Sequence, residues 1–350
     1  MPPDSQCLMC AMKHVGMAME AIEELTYERD NRDFAINHLR LAIEHTKLDW
    51  RDVAIKMRDA TVMIDLVQDK PGQLHKVLKG ILEELHRLYD GEHPEQARKL
   101  KEMRDREKVD IIIPLGNGSQ FDNFELKILL RSIDRHCSDV GRVIIATDCA
   151  PSWLDKSAVT IVEAHDNDRG CKDVNLIDKT IAAIAQCGVE RFCWCADDNV
   201  FLQDCELKHI PLLYNRRRQE LDDSTKWRRR VLHTLDYFEA RGVHLEHEFE
   251  SHAPQYFDDA QGLIRAMAGI DYRTPPGLTI MTAFRASMGD TEGGYHKDLY
   301  KETYEGEVDE AAFSCSHMFA GYNDAGFMSL MHRLFQIFPE PSRYELKEAR

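Results

Sequence analysis

The sequence lacks the segments that would place a chain in a membrane or a secretory pathway. Its longest apolar runs, at 110–115 and 142–147, are far shorter than the roughly 20 residues that span a bilayer. The opening segment, MPPDSQCLMC, has no basic region followed by an apolar core, so we expect no secretory signal. We therefore expect a cytoplasmic protein without a membrane span, in which the ten cysteines stay reduced.

The chain also lacks a net positive charge. The formal net charge is −16, which excludes binding to nucleic acid through the overall electric field. The balance reverses locally at Arg216–Arg230, where seven basic residues accompany three acidic ones. This Arg216–Arg230 patch is either a solvated helical face or a docking surface for phosphate on a nucleotide, an acceptor or DNA.

Internal repeats and low-complexity segments are absent, and the chain divides by its hydrophobic period. The first part repeats apolar side chains at spacings of four and three, as at Leu8, Met12 and Val15. Pro71 suits the first turn of a further helix. We expect an α-helical bundle over 1–107 and a second domain over 108–350.

A cluster of thiols and imidazoles lies in the predicted bundle. Cys7, Cys10 and His14 are spaced so that one helix face carries all three. With His38 on the next helix they form a set that suits tetrahedral Zn²⁺, which would stabilise a small bundle. The spacing is not that of a zinc finger, and the alternative is two buried thiols with a surface histidine.

From Val109 onward, short β-branched runs alternate with amphipathic segments. This alternation predicts a three-layer α/β domain with a mainly parallel sheet, whose ligands bind beyond the carboxyl ends of the strands. After Gln203 the pattern indicates helices and irregular loops. The predicted strands cover 109–115, 143–146, 159–162 and 191–196, and the predicted helices cover 124–135 and 174–185.

Two adjacent carboxylates follow the last of these strands. Asp197 and Asp198 come after an apolar run, and Asn199 precedes another. Adjacent carboxylates in apolar surroundings need a cation or donors to neutralise them. Oxygen ligands select a hard ion, so Asp198 and Asn199 are candidate ligands of Mn²⁺ or Mg²⁺ that also bridges substrate phosphates. The alternative is a turn in which Asp198 or Asn199 caps the next segment.

Further candidates flank these carboxylates. Gly116, Asn117 and Gly118 follow the first strand, where their backbone N–H groups suit a nucleotide, or form a plain connection. His252, in Ser-His-Ala-Pro, suits a general base for an acceptor hydroxyl or a metal ligand, with a structural histidine as the alternative.

The helix before the acidic strand supplies a third group. Lys172, Asn175 and Lys179 lie at or near this helix. Either lysine is placed to meet a diphosphate, and the alternative is an exposed lysine with no specific partner.

Several of these segments form a run of motifs. Residues 124–133 (FELKILLRSI), 143–148 (VIIATD) and 150–154 (APSWL) precede the carboxylate pair, and 251–254 (SHAP) follows it. The run resembles the GT-A nucleotide-diphospho-sugar transferase fold, and within it the Stealth family of capsular sugar-phosphate transferases and lysosomal-enzyme phosphotransferases. The resemblance covers residues 109–260. Ala196 stands where the Asn-Asp-Asp motif of that family has Asn, and the first strand ends in Leu-Gly-Asn-Gly rather than Val-Asp.

The resemblance implies a GT-A-like three-layer domain and a metal-dependent glycosyltransferase that uses a nucleotide-sugar donor. It implies that Asp197 and Asp198 hold the metal and the donor diphosphate, with a catalytic part for His252. It also implies that Asp148, after the second strand, meets the base or ribose, unless it caps a helix. Because of Ala196, Stealth-like sugar-phosphate transfer is an alternative activity, and a non-catalytic zinc-binding adaptor is another.

Two later segments, 319–324 (FAGYND) and 338–343 (FPEPSR), resemble phage-encoded glycosyltransferase-like proteins. A phage origin would place the protein in the host cytoplasm. It would also make a phage DNA base or a surface glycan the acceptor.

Overall fold

The computed structural model describes residues 108–119, 122–167, 171–291 and 293–346. The predicted helical bundle of 1–107 lies outside the described residues. So do its candidate zinc ligands, which are Cys7, Cys10, His14 and His38.

Strands and helices alternate through the first half of the described residues, and strands continue after Gln203, where we expected only helices and loops. In chain order the strands are β1 (Val109–Pro114), β2 (Val140–Thr147), β3 (Thr160–Glu163), β4 (Phe192–Trp194), β5 (Asn199–Phe201), β6 (Leu213–Arg217), β7 (His247–Phe249), β8 (Gln255–Phe257), β9 (Tyr295–His296), β10 (Lys301–Tyr304) and β11 (Phe319–Tyr322). The α-helices are α1 (Phe124–His136), α2 (Lys172–Cys187), α3 (Lys226–Glu239), α4 (Ala260–Met267), α5 (Ile280–Met288) and α6 (Asp324–Ile337). None of these described helices is long and apolar enough to cross a membrane.

The largest sheet has the strand order β3-β2-β1-β4-β8. Strands β3, β2, β1 and β4 are mutually parallel, whereas β8 runs antiparallel to β4. The fold is therefore mixed α/β, with the expected parallel strands and an antiparallel edge strand that we had not predicted. The carboxyl ends of the four parallel strands lie along one edge of the sheet, which is where ligands bind in such folds.

Burial on both faces explains the near-continuous apolar runs of the parallel strands. Alternate residues of β1 enter different cores: Ile112 packs with α2, α4 and α5, whereas Ile111 and Ile113 pack with α1. Helices thus cover both faces of the sheet. A third core joins α6 to the sheet that contains β5.

Two smaller sheets extend the fold beyond the central one. Their strand orders are β10-β11-β5 and β7-β6-β9. In the first of them Gly321 lies opposite Asn199 on one side and Thr303 on the other. Because β4 ends at Trp194 and β5 begins at Asn199, the chain passes from the central sheet to the second sheet through residues 195–198.

Candidate functional site

The turn from β4 to β5 carries the two adjacent carboxylates. Its backbone is closed by a hydrogen bond from Asn199 N to Ala196 O at 3.3 Å. Burial raises the pKa of Asp197 to about 6, and the charge of Asp198 adds to the rise. Burial also raises the pKa of Asp198, although Lys301 and Lys172 act against it. Burial and mutual repulsion thus disfavour the state in which both carboxyl groups are ionised. A bound cation would stabilise that state.

Asn199 connects this turn to the segment that contains His252. Its fully buried Nδ2 donates to His252 O at 2.7 Å and lies 3.2 Å from Asp198 Oδ1. Its Oδ1 has no partner among the described residues. The amide therefore holds Asp198 beside His252, and its own oxygen is buried without a partner among the described residues.

The ends of β1, β2 and β3 meet at the expected edge. Asn117, after β1, hydrogen-bonds the carboxyl group of Asp148, after β2, and this bond lowers the pKa of Asp148. His165, after β3, lies 3.5 Å from Asp148 Oδ2 through its Nδ1 and was not predicted. The structure thus brings two sequence-predicted residues into contact and adds an imidazole to them.

Lys179 is buried and bonded within the protein, whereas the sequence suggested an exposed lysine. Its fully buried Nζ donates to Leu115 O at 2.7 Å and lies 2.7 Å from Asp166 Oδ1. These bonds tie the end of β1 to the loop after β3. The ammonium group is thereby committed to protein oxygens.

The turn after β1 does not depend on its glycines. Neither Gly116 nor Gly118 has a positive φ. A Cβ on Gly116 would lie 3.8 Å from Asp166 Oδ2, which is an ordinary contact. Left-handed backbone occurs instead at Asp122 and Asn123, just before α1.

The start of α2 faces the carboxylate pair. Lys172 opens the helix, is exposed, and lowers the pKa of both Asp197 and Asp198. Asn175 is buried one turn further on. The neighbouring Asp173 pairs with Arg230 Nη1 at 2.8 Å, which fixes the start of α2 to α3.

A cavity of about 330 Å³ opens beside Asp198. It is lined by strands of both smaller sheets, by α3 and by the segment after β7. Its lining includes Asn215, Arg216, Trp227, Glu250, His252 and Lys301. The sequence-predicted His252 therefore shares one cavity with Asp198.

Lys301, Glu250 and His252 all line this cavity and contact one another. Lys301 Nζ donates to His252 O and lies 3.7 Å from Glu250 Oε1, which accepts from His252 N at 2.7 Å. A Cβ on Gly321 would lie 2.7 Å from Lys301 Cε, so a larger residue there would displace the end of this lysine. Burial and the charge of Lys301 both lower the pKa of His252, whose imidazole is therefore neutral at pH 7.

Sequence reasoning missed several residues of the site. Trp227, Glu250 and Lys301 lie in segments that we interpreted as helices or loops. Glutamates alternate with other residues at Glu246, Glu248 and Glu250, just before His252, and this pattern was a signal that could have been used. Glu125, at the start of α1, is also buried near Asp197 and accepts from Ser119 Oγ at 3.0 Å.

The basic residues of the Arg216–Arg230 patch have different surroundings in the structure. Arg216 lines the cavity. Arg218 instead pairs with Asp236 and Glu239. Arg228 pairs with Asp222, and Arg230 pairs with Asp173. Three of the seven basic side chains that suggested a phosphate-docking surface are therefore neutralised locally.

Comparison with known proteins does not assign the site. No protein-family model matches the chain, and no curated protein matches it. Within the described residues, no group of three or more His, Cys, Asp or Glu side chains is arranged to hold a metal ion unaided. A metal at Asp197 and Asp198 would thus need further ligands from substrate or water.

Proposed function

We propose that the chain is a metal-dependent glycosyltransferase that moves a sugar from a nucleotide-diphosphate donor to an acceptor. The observation that carries this proposal is the position of Asp197 and Asp198. They follow β4 at the edge where Asn117 and Asp148 meet, and Asp198 also lines the cavity that contains His252. A transferase requires such an arrangement because donor and acceptor must react at one point.

The carboxylate pair fits Mn²⁺ or Mg²⁺. Both pKa values are raised by burial, so a divalent cation would stabilise the ionised pair. Asn199 Oδ1 offers a further oxygen ligand. Mg²⁺ sites commonly use one or two carboxylates and take their remaining ligands from phosphates and water. Such an ion supplies neutralisation of the charge that develops on a leaving diphosphate.

The edge beyond β1 and β2 suits the nucleotide. Asp148 is ionised, and its carboxylate is oriented by Asn117 and His165. A carboxylate held in this way can accept hydrogen bonds from ribose hydroxyls. Lys172, exposed at the start of α2, is placed near the carboxylate pair to meet the diphosphate.

His252 suits the general base. Its neutral imidazole can take the proton of an acceptor hydroxyl in the cavity. The hydroxyl oxygen then bonds to the anomeric carbon of the donor. The bond from that carbon to the diphosphate oxygen breaks, and the diphosphate leaves with the electron pair.

Thermal unfolding of the full chain with nucleoside diphosphates tests this proposal. UDP or GDP with Mn²⁺ at about 100 times its Kd is expected to stabilise the protein by about 2.7 kcal/mol, a rise in Tm of about 5–11 °C. Asp198→Asn should lose this rise. Asp223→Asn, an exposed carboxylate outside the cavity, is the matched control and should keep it. No rise with any nucleotide, or a full rise in Asp198→Asn, would contradict the proposal.

A panel of nucleotide sugars, followed by diphosphate release, then identifies the donor. Stealth-like transfer of a sugar phosphate would instead release a nucleoside monophosphate, and the product mass separates the two reactions because only this transfer adds a phosphate to the acceptor.

A further inference from the structure

Two residues that line the cavity beside Asp198, Asn215 and Glu250, each carry a buried side-chain oxygen without a donor in the described part of the chain. Glu250 is 3 % exposed, and its Oε2 has no hydrogen-bond partner in the described part of the chain. Asn215 donates through Nδ2 to Glu248, which leaves Asn215 Oδ1 equally without a partner there. Burying such atoms unpaired is costly. The occupant of the cavity should therefore bring hydrogen-bond donors to Glu250 and Asn215.

An indole lies in the same cavity. Trp227, on α3, is half-buried, and its ring centroid is 5.8 Å from that of His252. An aromatic face beside a carboxylate and an amide suits a ring with apolar C–H faces and hydroxyl groups at its edge. The indole of Trp227 and the unpaired oxygen atoms of Glu250 and Asn215 thus favour the same kind of ligand.

The charges around the cavity disfavour an anionic acceptor. Both cations and carboxylates line the cavity, with Arg216 and Lys297 among the cations and Glu250 among the carboxylates. A phosphate would lie against the unpaired oxygen of Glu250 and be repelled. A hydroxyl group both donates and accepts, and so can satisfy a carboxylate and a cation together.

Size and charge also disfavour DNA. The cavity volume of about 330 Å³ is at the lower end of the range for ligand pockets, about 300–1,000 Å³, which suits one ring. Affinity for DNA depends on several phosphate contacts. The net charge is −16, and Arg218, Arg228 and Arg230 are paired within the chain.

We propose that this cavity is the acceptor site and that it binds a polyhydroxylated acceptor, the sugar ring of a glycan. Trp227 packs against the ring, and Glu250 Oε2 and Asn215 Oδ1 accept hydrogen bonds from its hydroxyl groups. The hydroxyl beside His252 is the one that attacks the donor. This inference rests on the proposed glycosyltransferase activity and names the acceptor class.

The test uses the full chain with Mn²⁺ and the nucleotide sugar that the donor panel identifies. Diphosphate release is measured with water alone, with methyl hexosides and hexosamines, and with a single-stranded oligonucleotide. We expect the sugars to raise release above hydrolysis in a saturable way, with a product heavier by one sugar residue. The oligonucleotide should have no effect.

Two substitutions probe the assigned contacts. Glu250→Gln should raise the KM for the sugar by about 10- to 100-fold, the factor for a hydrogen bond to a charged group. Trp227→Leu should also raise this KM. If Glu250→Gln fails to fold, the KM of Trp227→Leu alone tests the assignment. Lys226→Ala, the exposed neighbour of Trp227 on α3, is the matched control and should match the wild type. The thermal shift with nucleotide reports whether each variant is folded.

The outcomes separate this inference from the proposed function. If a nucleotide sugar is bound and hydrolysed but no sugar acceptor stimulates release, the acceptor inference is wrong and the transferase proposal stands. Stimulation by the oligonucleotide alone would reassign the cavity to a nucleic-acid acceptor. If no nucleotide binds at all, the proposed function fails and the acceptor inference falls with it.

Discussion

Glu248 allows a quantitative test of the charges behind the cavity wall. The side chain is 2 % exposed, and burial raises its pKa to about 7, with the charge of Glu250 adding to the rise. Arg216 and a hydrogen bond from Asn215 act in the opposite direction but do not outweigh burial. Because the pKa is higher in the folded than in the unfolded state, ionisation of Glu248 destabilises the fold. The destabilisation begins above pH 4.5 and is complete above pH 7.

Glu248→Gln removes this ionisation and keeps an oxygen that can accept from Asn215. The pKa values of 4.5 and about 7 correspond to about 3 kcal/mol at about 1.4 kcal/mol per pH unit. We therefore expect the variant to gain about 3 kcal/mol at pH 8, a rise in Tm of about 6–12 °C for the compact unit Glu107–Arg350. At pH 5 the gain should fall below about 1 kcal/mol, because the native carboxyl group is then protonated.

Thermal unfolding of both proteins at pH 5 and pH 8 measures this difference. Glu246→Gln is the matched control, since the Glu246 side chain is 70 % exposed, and it should change stability by less than about 0.5 kcal/mol. The destabilising effect of ionised Glu248 is refuted if Glu248→Gln is no more stable than the wild type at pH 8. Equal gains at the two pH values would refute it as well.

Three further predictions concern single contacts. Lys179→Met should lower the free energy of unfolding by about 2–3 kcal/mol without any nucleotide, because Leu115 O loses a charged donor. Unchanged unfolding in denaturant would show that Lys179 does not stabilise the fold. Ser132→Ala should cost about 1–3 kcal/mol in the same assay, since Phe201 N then lacks its buried acceptor, and a neutral result would show that another group replaces the hydroxyl. His252→Gln should remove an acidic limb below pH 6.5 from the pH profile of diphosphate release, because the pKa of this imidazole is lowered; a persisting limb would assign the base elsewhere.

The sequence predicts the central sheet well because its signals are local. The apolar runs of β1 and β2 require burial on both faces, and the helix expected at 174–185 is observed at Lys172–Cys187. The strand expected at 191–196 is shorter, Phe192–Trp194, since only those residues pair with both β1 and β8. The class, mixed α/β, is confirmed.

The cavity could not be predicted in the same way. Its wall joins Trp227, Glu250 and Lys301, which are separated along the chain and connected only by tertiary contacts. The strands that position them, such as β7 and β10, are three and four residues long, too short for a clear hydrophobic period. The burial of Lys179 could not be predicted either, because nothing in a single sequence distinguishes a fully buried lysine from an exposed one.

The passage from one sheet to another at residues 195–198 has an evolutionary consequence. The sheet edge proposed to bind the donor consists of consecutive strands and helices that precede Asp198 in the chain. Apart from Asp198, the residues that line the cavity proposed to bind the acceptor lie later, from Asn215 to Asn323. Insertions and exchanges in the later part of the gene can therefore alter acceptor preference while the earlier part is inherited unchanged. Asp198 lies at the junction, so selection on either half of the site acts on this residue.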